Sequence, residues 1–250
     1  MNRLTLSTAS RAAAVLATAA VAVVGVSASA LAAPTADPSA SSDSPSATPN
    51  HPTLTTIQQK AASAIAQRLT SLSKAIATVS GSSVISAADK ATLLGTLNGD
   101  VTGLTALGAK IAADTTAQQA ATDYKTIFTG YRVYALALPQ AHFAMATDAL
   151  TGTVVPKLTD AQTKLAALLA GVDAGKNTPA VQAAMADLAT QLAAIGTATG
   201  GLSATVLAYT PAQYDANHAL LSSARQSLVT ARADAKGARA DIVTVTKALK

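Results

Sequence analysis

The chain is 250 residues long and 50% hydrophobic, yet only 3% aromatic and 12% charged, so its apolar content is mostly Ala, Leu and Val. Such a composition suits close-packed helices rather than bulky cores or sheets, because Ala is the best helix former and buries little area. The absence of Cys excludes disulfides, Cys-ligated metals, thiol catalysis and lipid attachment at an N-terminal Cys, and a formal charge of +5 is too mild for a nucleic-acid-binding signature.

Residues 1–32 have the three parts of a secretory signal peptide. Arg3 and Arg11 supply the positive start, Ala12 to Val26 an uncharged apolar run, and Ala30-Leu31-Ala32 the small-x-small cleavage pattern. A retained membrane anchor fits less well, since the run is shorter than the ~20 residues of a span. Residues 33–53 are rich in Pro, Ser, Ala and Asp and almost free of large apolar side chains, which predicts a disordered linker that cannot bury enough surface to offset chain entropy. Residues 54–250 are expected to form one helical domain.

Hydroxyl residues mark the expected helix starts. Thr55 precedes Gln58, Thr115 precedes Gln118 and Thr159 precedes Gln162 at capping-box spacing, and Ser86 has Asp89 three residues on. Thr178-Pro179 and Thr210-Pro211 place a hydroxyl at the cap and Pro at the first helical position. Ile57, Ala61, Ile65, Leu69, Leu72 and Ile76 form an apolar stripe in the first helix; Leu94, Leu97, Val101, Leu104 and Ile111 form one in the second. The stretch Tyr131 to Pro139 is rich in β-favouring residues. A helix kinked near Pro139 is preferred over a strand there, because it aligns Phe128, Tyr131, Ala135, Leu138, His142 and Met145. The last helix is the most regular: Leu221, Ala224, Leu228, Ala231, Ala235, Ala238, Ile242, Val245 and Leu249 alternate three and four apart. Its small seam residues require a close partner helix. The predicted fold is all-α, an elongated antiparallel helical bundle with a coiled-coil-like C-terminal helix.

The blocks Asp123-Tyr124, Tyr131-Arg132-Val133-Tyr134, Leu138-Pro139 and Leu207 to Asn217, with the Ala-Arg-Ala-Asp repeats at 231–234 and 238–241, resemble those of uncharacterised exported, Ala-rich helical proteins of high-GC Gram-positive bacteria. The resemblance covers roughly residues 85–250 and implies export and a helical fold, but no activity. At position 218 this chain has His where such proteins are expected to carry Pro.

Two surfaces are candidate sites. Tyr124, Phe128, Tyr131, Tyr134 and Phe143, with His142, gather most of the aromatics and suit a pocket for an apolar or sugar ligand, though the plainer reading is the one bulky patch of an Ala-rich core. Arg225, Arg232, Lys236, Arg239 and Lys247 form a basic face suited to an anionic cell-wall polymer or membrane surface, the plainer reading being a solvated face near a helix C-terminus. His142 and Met145, three apart, are residue types that can ligate haem iron, but no attachment motif accompanies them. Tyr214, Asp215, Asn217 and His218 fit helix capping as well as acid–base chemistry. Paired carboxylates, a nucleophile elbow and a phosphate loop are absent from the sequence pattern, so neither catalytic residues, cofactor nor metal are expected. Nor is a covalent retention signal expected. The sequence therefore predicts a secreted, extracellular or loosely wall-associated protein without enzymatic activity, a structural or interaction module at the envelope. The alternative is a carrier holding an apolar ligand near residues 124–143.

Overall fold

A computed structural model describes residues 52–250, so the expected signal peptide and all but the end of the expected linker lie outside it. The described residues form helices and no strand, an all-α bundle. Three helices open it: α1 (Leu54–Gly81), α2 (Ala87–Ala113) and α3 (Ala117–Thr129). Their first free N–H groups are taken by the hydroxyls of Thr53, Ser86 and Thr116. The cap at Ser86 is the expected one. Those expected at Thr55 and Thr115 fall instead on Thr53 and Thr116, whose extended backbones mark where the helices begin.

α1 and α2 run antiparallel and are tied at both ends through carbonyls left free at helix C-termini. Gln58 Nε2 donates to the carbonyls of Ile111, Ala112 and Asp114 at 3.1, 3.2 and 3.2 Å. At the other end Lys90 Nζ donates to those of Ser80 and Ser82 at 3.2 and 2.6 Å. Between these ties lie fully buried aliphatics, among them Leu72, Leu93, Leu97, Leu104, Ile111 and Ile127. Leu72, Leu97, Leu104 and Ile111 lie on the expected stripes, but Leu93 and Leu107 are buried off the α2 stripe, Arg68 takes a buried place on α1, and Leu69, Ile76, Leu94 and Val101 sit at the edge of the core.

Helix resumes at Val133 and runs unbroken to Ala170, about 55 Å. This rod comprises α4 (Leu138–Ala149) and α5 (Val155–Ala170), each preceded by a wider π turn, Val133–Ala137 and Leu150–Val154. Both π turns sit just before a proline, Pro139 and Pro156. A proline ring crowds the carbonyl four residues back and has no N–H to give it. Widening the preceding turn, with Leu138 N–H reaching Val133 O and Val155 N–H reaching Leu150 O, relieves that conflict without ending the helix. The segment 131–138 is thus helical from Val133. The stripe expected to run from Phe128 to Met145 is broken at Gly130–Arg132, and the helix start expected at Thr159 falls inside α5, where no N–H is free to cap.

The rod serves three core clusters, and near its end Leu165 and Leu169 pack with Val181, Ala184 and Val245. Val133, Ala137, Ala141 and Ala144 face the α1–α3 core, while Leu136, Phe143, Leu150 and Leu158 face a second one. That second core lies against α6 (Pro179–Thr199), α7 (Leu202–Leu207) and α9 (Ser222–Ala248), with α8 (Pro211–Ala216) on the connection. Caps at Thr178 and Thr210 are as expected, the latter a complete capping box with Gln213. Gln140 Nε2 pins the end of α7 by donating to the carbonyls of Val206 and Tyr209, both at 2.8 Å. α6 and α9 are antiparallel, for Val181 and Ala184 meet Val245 at one end while Ile195 meets the start of α9 at the other. The predicted seam of α9 is buried from Leu221 to Val245, with Ile242 and Leu249 at its edge. Gly237 lets α6 approach: a Cβ there would stand 2.8 Å from Gln191 Oε1.

Candidate functional site

The aromatic residues divide among separate environments. Arg68 is only 8% exposed and has no acidic partner among the described residues. Its Nη1 donates to Ala64 O at 3.0 Å, and its guanidinium lies 4.5 Å from the Phe128 ring centre and 5.2 Å from that of Tyr134. Burying a cation without a counter-charge is unfavourable, and the faces of Phe128 and Tyr134, both partly open to water, offset this by about 0.5–1 kcal/mol each. Tyr124 meets Phe128 edge-on at 5.1 Å, and Tyr134 Oη lies 3.3 Å from Ser71 Oγ. These rings therefore enclose the protein's own cation.

Tyr131 packs elsewhere, against Gly103 of α2, where an added Cβ would lie 2.6 Å from its hydroxyl oxygen. Burial raises the Tyr131 pKa, and the charge of Asp100 adds to that; Asp100 is itself pushed up to about 6 by burial. Phe143 belongs to the second core. His142 is exposed and lines, with Met145, a shallow groove of about 280 Å³ between α1 and α4. That volume is at the small end for ligand sites. The six residues 124–143 do not converge on one cavity.

Asp215 is engaged as well. Arg132, in the left-handed region at φ 46°, opens the rod by offering its carbonyl to the N–H groups of Ala135, Leu136 and Ala137. Its Nε donates to Asp215 Oδ1 at 2.5 Å, and its guanidinium lies 5.7 Å from the Tyr214 ring, which meets His218 edge-on at 5.1 Å. This cluster clamps α8 to the end of α3.

Folding creates one arrangement that sequence spacing hides. Asp89, in the first turn of α2, and Asp148, near the end of α4, are 59 positions apart yet lie side by side. Asp148 Oδ2 accepts from Ser86 N–H at 2.6 Å, and Ser203 of α7 donates its hydroxyl to Asp89 Oδ2 at 2.5 Å. Burial raises the Asp148 pKa, the Ser86 N–H opposes that rise, and the neighbouring Asp89 charge adds to it. The expectation that paired carboxylates are absent is thus corrected. The pair ties α2, α4 and α7 together.

The solvent side of α9 is the clearest charged surface. At 100° per residue, Arg225, Arg232, Lys236, Arg239 and Lys247 fall within an arc of about 80° along about 33 Å of helix. Four are exposed and Arg239 is half-buried, and none forms an ion pair among the described residues. Asp234 and Asp241 lie about 160–180° round from the middle of that arc, both half-buried. Asp241 accepts from Gln191 Nε2 of α6 at 3.0 Å. Two exposed apolar residues, Val229 and Val243, at 53% and 46%, share the cationic arc. One side of α9 lies against α6, and the remaining charged positions form an acidic flank and a basic one.

Among the described residues no helix is long and apolar enough to cross a membrane, and no group of three or more His, Cys, Asp or Glu side chains is placed to hold a metal. No family model, curated protein or solved structure matches this chain.

Proposed function

We propose that the protein is a secreted, non-enzymatic interaction module at the cell envelope, and that the basic side of α9 is its contact surface. One observation carries the reading: five cations share one narrow arc and form no ion pair among the described residues, while the acids of the same helix lie on the other side. Like charges three and four residues apart, such as Arg232 with Lys236 and Lys236 with Arg239, repel by about 0.2–0.5 kcal/mol each. An anionic partner turns that cost into attraction. The signal-like residues 1–32, which lie outside the described region, put the module outside the cell. An elongated bundle with coiled-coil-like packing of α9 belongs to the same reading, since it holds the basic side rigid.

The test is co-sedimentation of secreted protein with isolated envelope material at rising salt. Exposed charges are screened over about 8 Å at physiological ionic strength. Binding should therefore fall steeply between 50 and 200 mM salt, a range in which several ionic contacts lose orders of magnitude in affinity. Salt-independent binding would count against the reading.

A further inference from the structure

We infer that the basic side of α9 is a track for a linear, phosphate-bearing polymer, engaged in register with the helix; this rests on the reading of α9 as the contact surface. The stripe is long and narrow, about 33 Å by an arc of about 80°. Arg225, Arg232 and Arg239 recur every seven residues, so they stay on one side about 10.5 Å apart, with Lys236 and Lys247 between and beyond them. A one-dimensional row of cations complements a one-dimensional row of anions. The mixture suits phosphate, which Arg holds with a fork of two N–H groups and Lys with a point charge. Helix α9 is uninterrupted over 27 residues, and its seam residues Ala231 and Ala238 are fully buried. The row is consequently straight, and its orientation is fixed before binding, which spares the cost of ordering it.

A membrane surface fits the same charges less well. A helix lying in a bilayer interface buries a broad apolar face. On α9 the broad apolar face is already against α6, and the cationic arc offers only Val229 and Val243.

The experiment uses the full secreted chain and linear polyphosphate in two sizes, one shorter and one longer than the 33 Å stripe. Two variants accompany the wild type. One exchanges neighbours, R225Q/Q226R with R232T/T230R, which keeps net charge and moves two arginines about 100–160° off the row onto positions that are themselves exposed. The other, R225Q/R232Q, removes the two charges. All four exchanged positions are solvent-exposed, so thermal melts should match wild type, and R225Q/Q226R alone serves as a milder version.

The expected result is that the longer polymer binds at physiological salt and the shorter one binds far more weakly. The exchange variant should lose about 25-fold, each arginine near an anionic surface being worth about five-fold. Equal binding of wild type and exchange variant, with loss only in the charge-removed variant, would overturn the track yet leave α9 as the contact surface. Unchanged binding in both variants would overturn both readings. Tighter binding to vesicles containing anionic lipid than to the longer polymer would assign the surface to a membrane and overturn the track, and so would absence of polyphosphate binding at physiological salt.

Discussion

The two halves of this molecule bury the same alanine-rich sequence in different ways. Around α1, α2 and α3 the core is made of large aliphatics, and long polar side chains, Gln58 and Lys90, close the helix ends. Between α6 and α9 the aliphatics Val181, Leu188 and Ile195 of α6 meet a seam of α9 that is mostly alanine, Ala224, Ala231, Ala235 and Ala238, so the two helices come close. The first half is stabilised by area removed from water, at about 25 cal/mol per Å². The second buries aliphatics too, and adds a close fit along the alanines of α9. The two halves should therefore fail under opposite kinds of substitution.

The largest effect is expected from truncation in the first half. Leu97 is fully buried between α1 and α2, and Leu97→Ala should destabilise the fold by about 2–5 kcal/mol in chemical denaturation, the range for a cavity left by a core leucine. A loss below 1 kcal/mol would mean that the first core is loosely packed and the contrast is weaker than described.

A smaller effect should follow from enlarging Gly103. Ala gains about 1 kcal/mol over Gly in a helix interior, but the new Cβ would lie 2.6 Å from Tyr131 Oη and 2.7 Å from its Cε1. Overpacking against a ring costs about 1–3 kcal/mol, so Gly103→Ala should lower the melting temperature despite better helix propensity. A higher melting temperature would show that Tyr131 moves aside freely.

The gentlest perturbation is pH. Asp100 has a folded pKa of about 6 against an ordinary value of 3.8, and that of Asp148 is also raised. A raised carboxyl pKa means that the unfolded chain ionises first. The stability these two groups contribute is then fully present below 3.8 and is lost as pH climbs toward 6, the reverse of ordinary acid denaturation. Melting temperature should decline from pH 4 to pH 6 and then level off, and Asp100→Asn should flatten part of that decline. A rise over the same interval would contradict the burial assigned to both carboxyls.

Much of this architecture is legible in the sequence, and the reasons for the rest are physical. The seam of α9 is readable because one straight helix meets essentially one partner, so burial follows a single period. The caps at Ser86, Thr178 and Thr210 are readable because each ends a real break in the chain. Thr159 misled for the opposite reason: the π turn at Leu150–Val154 absorbs Pro156 and carries helix through, leaving no N–H to cap. Arg68 stands on a core stripe between Ile65 and Leu72, and its burial depends on two distant rings, those of Phe128 and Tyr134. The pairing of Asp89 with Asp148 is likewise a product of topology, with no local spacing to announce it. Of the two candidate surfaces, the basic side of α9 was visible because it lies on one helix. The division of the aromatics was not, since it depends on the break at Gly130–Arg132.

The account depends most on α9 having one side fitted closely to α6 and the other free. Thermal melts of Ala235→Leu and Ala240→Leu, measured side by side, test this most directly. Both substitutions add the same atoms to the same helix at nearly unchanged helix propensity, and only the side differs. Ala235 is buried in the seam and Ala240 is exposed. The account predicts that Ala235→Leu destabilises by about 1–3 kcal/mol while Ala240→Leu stays within about 0.5 kcal/mol of wild type. Equal melts, or a more stable Ala235→Leu, would contradict it and leave α9 undocked.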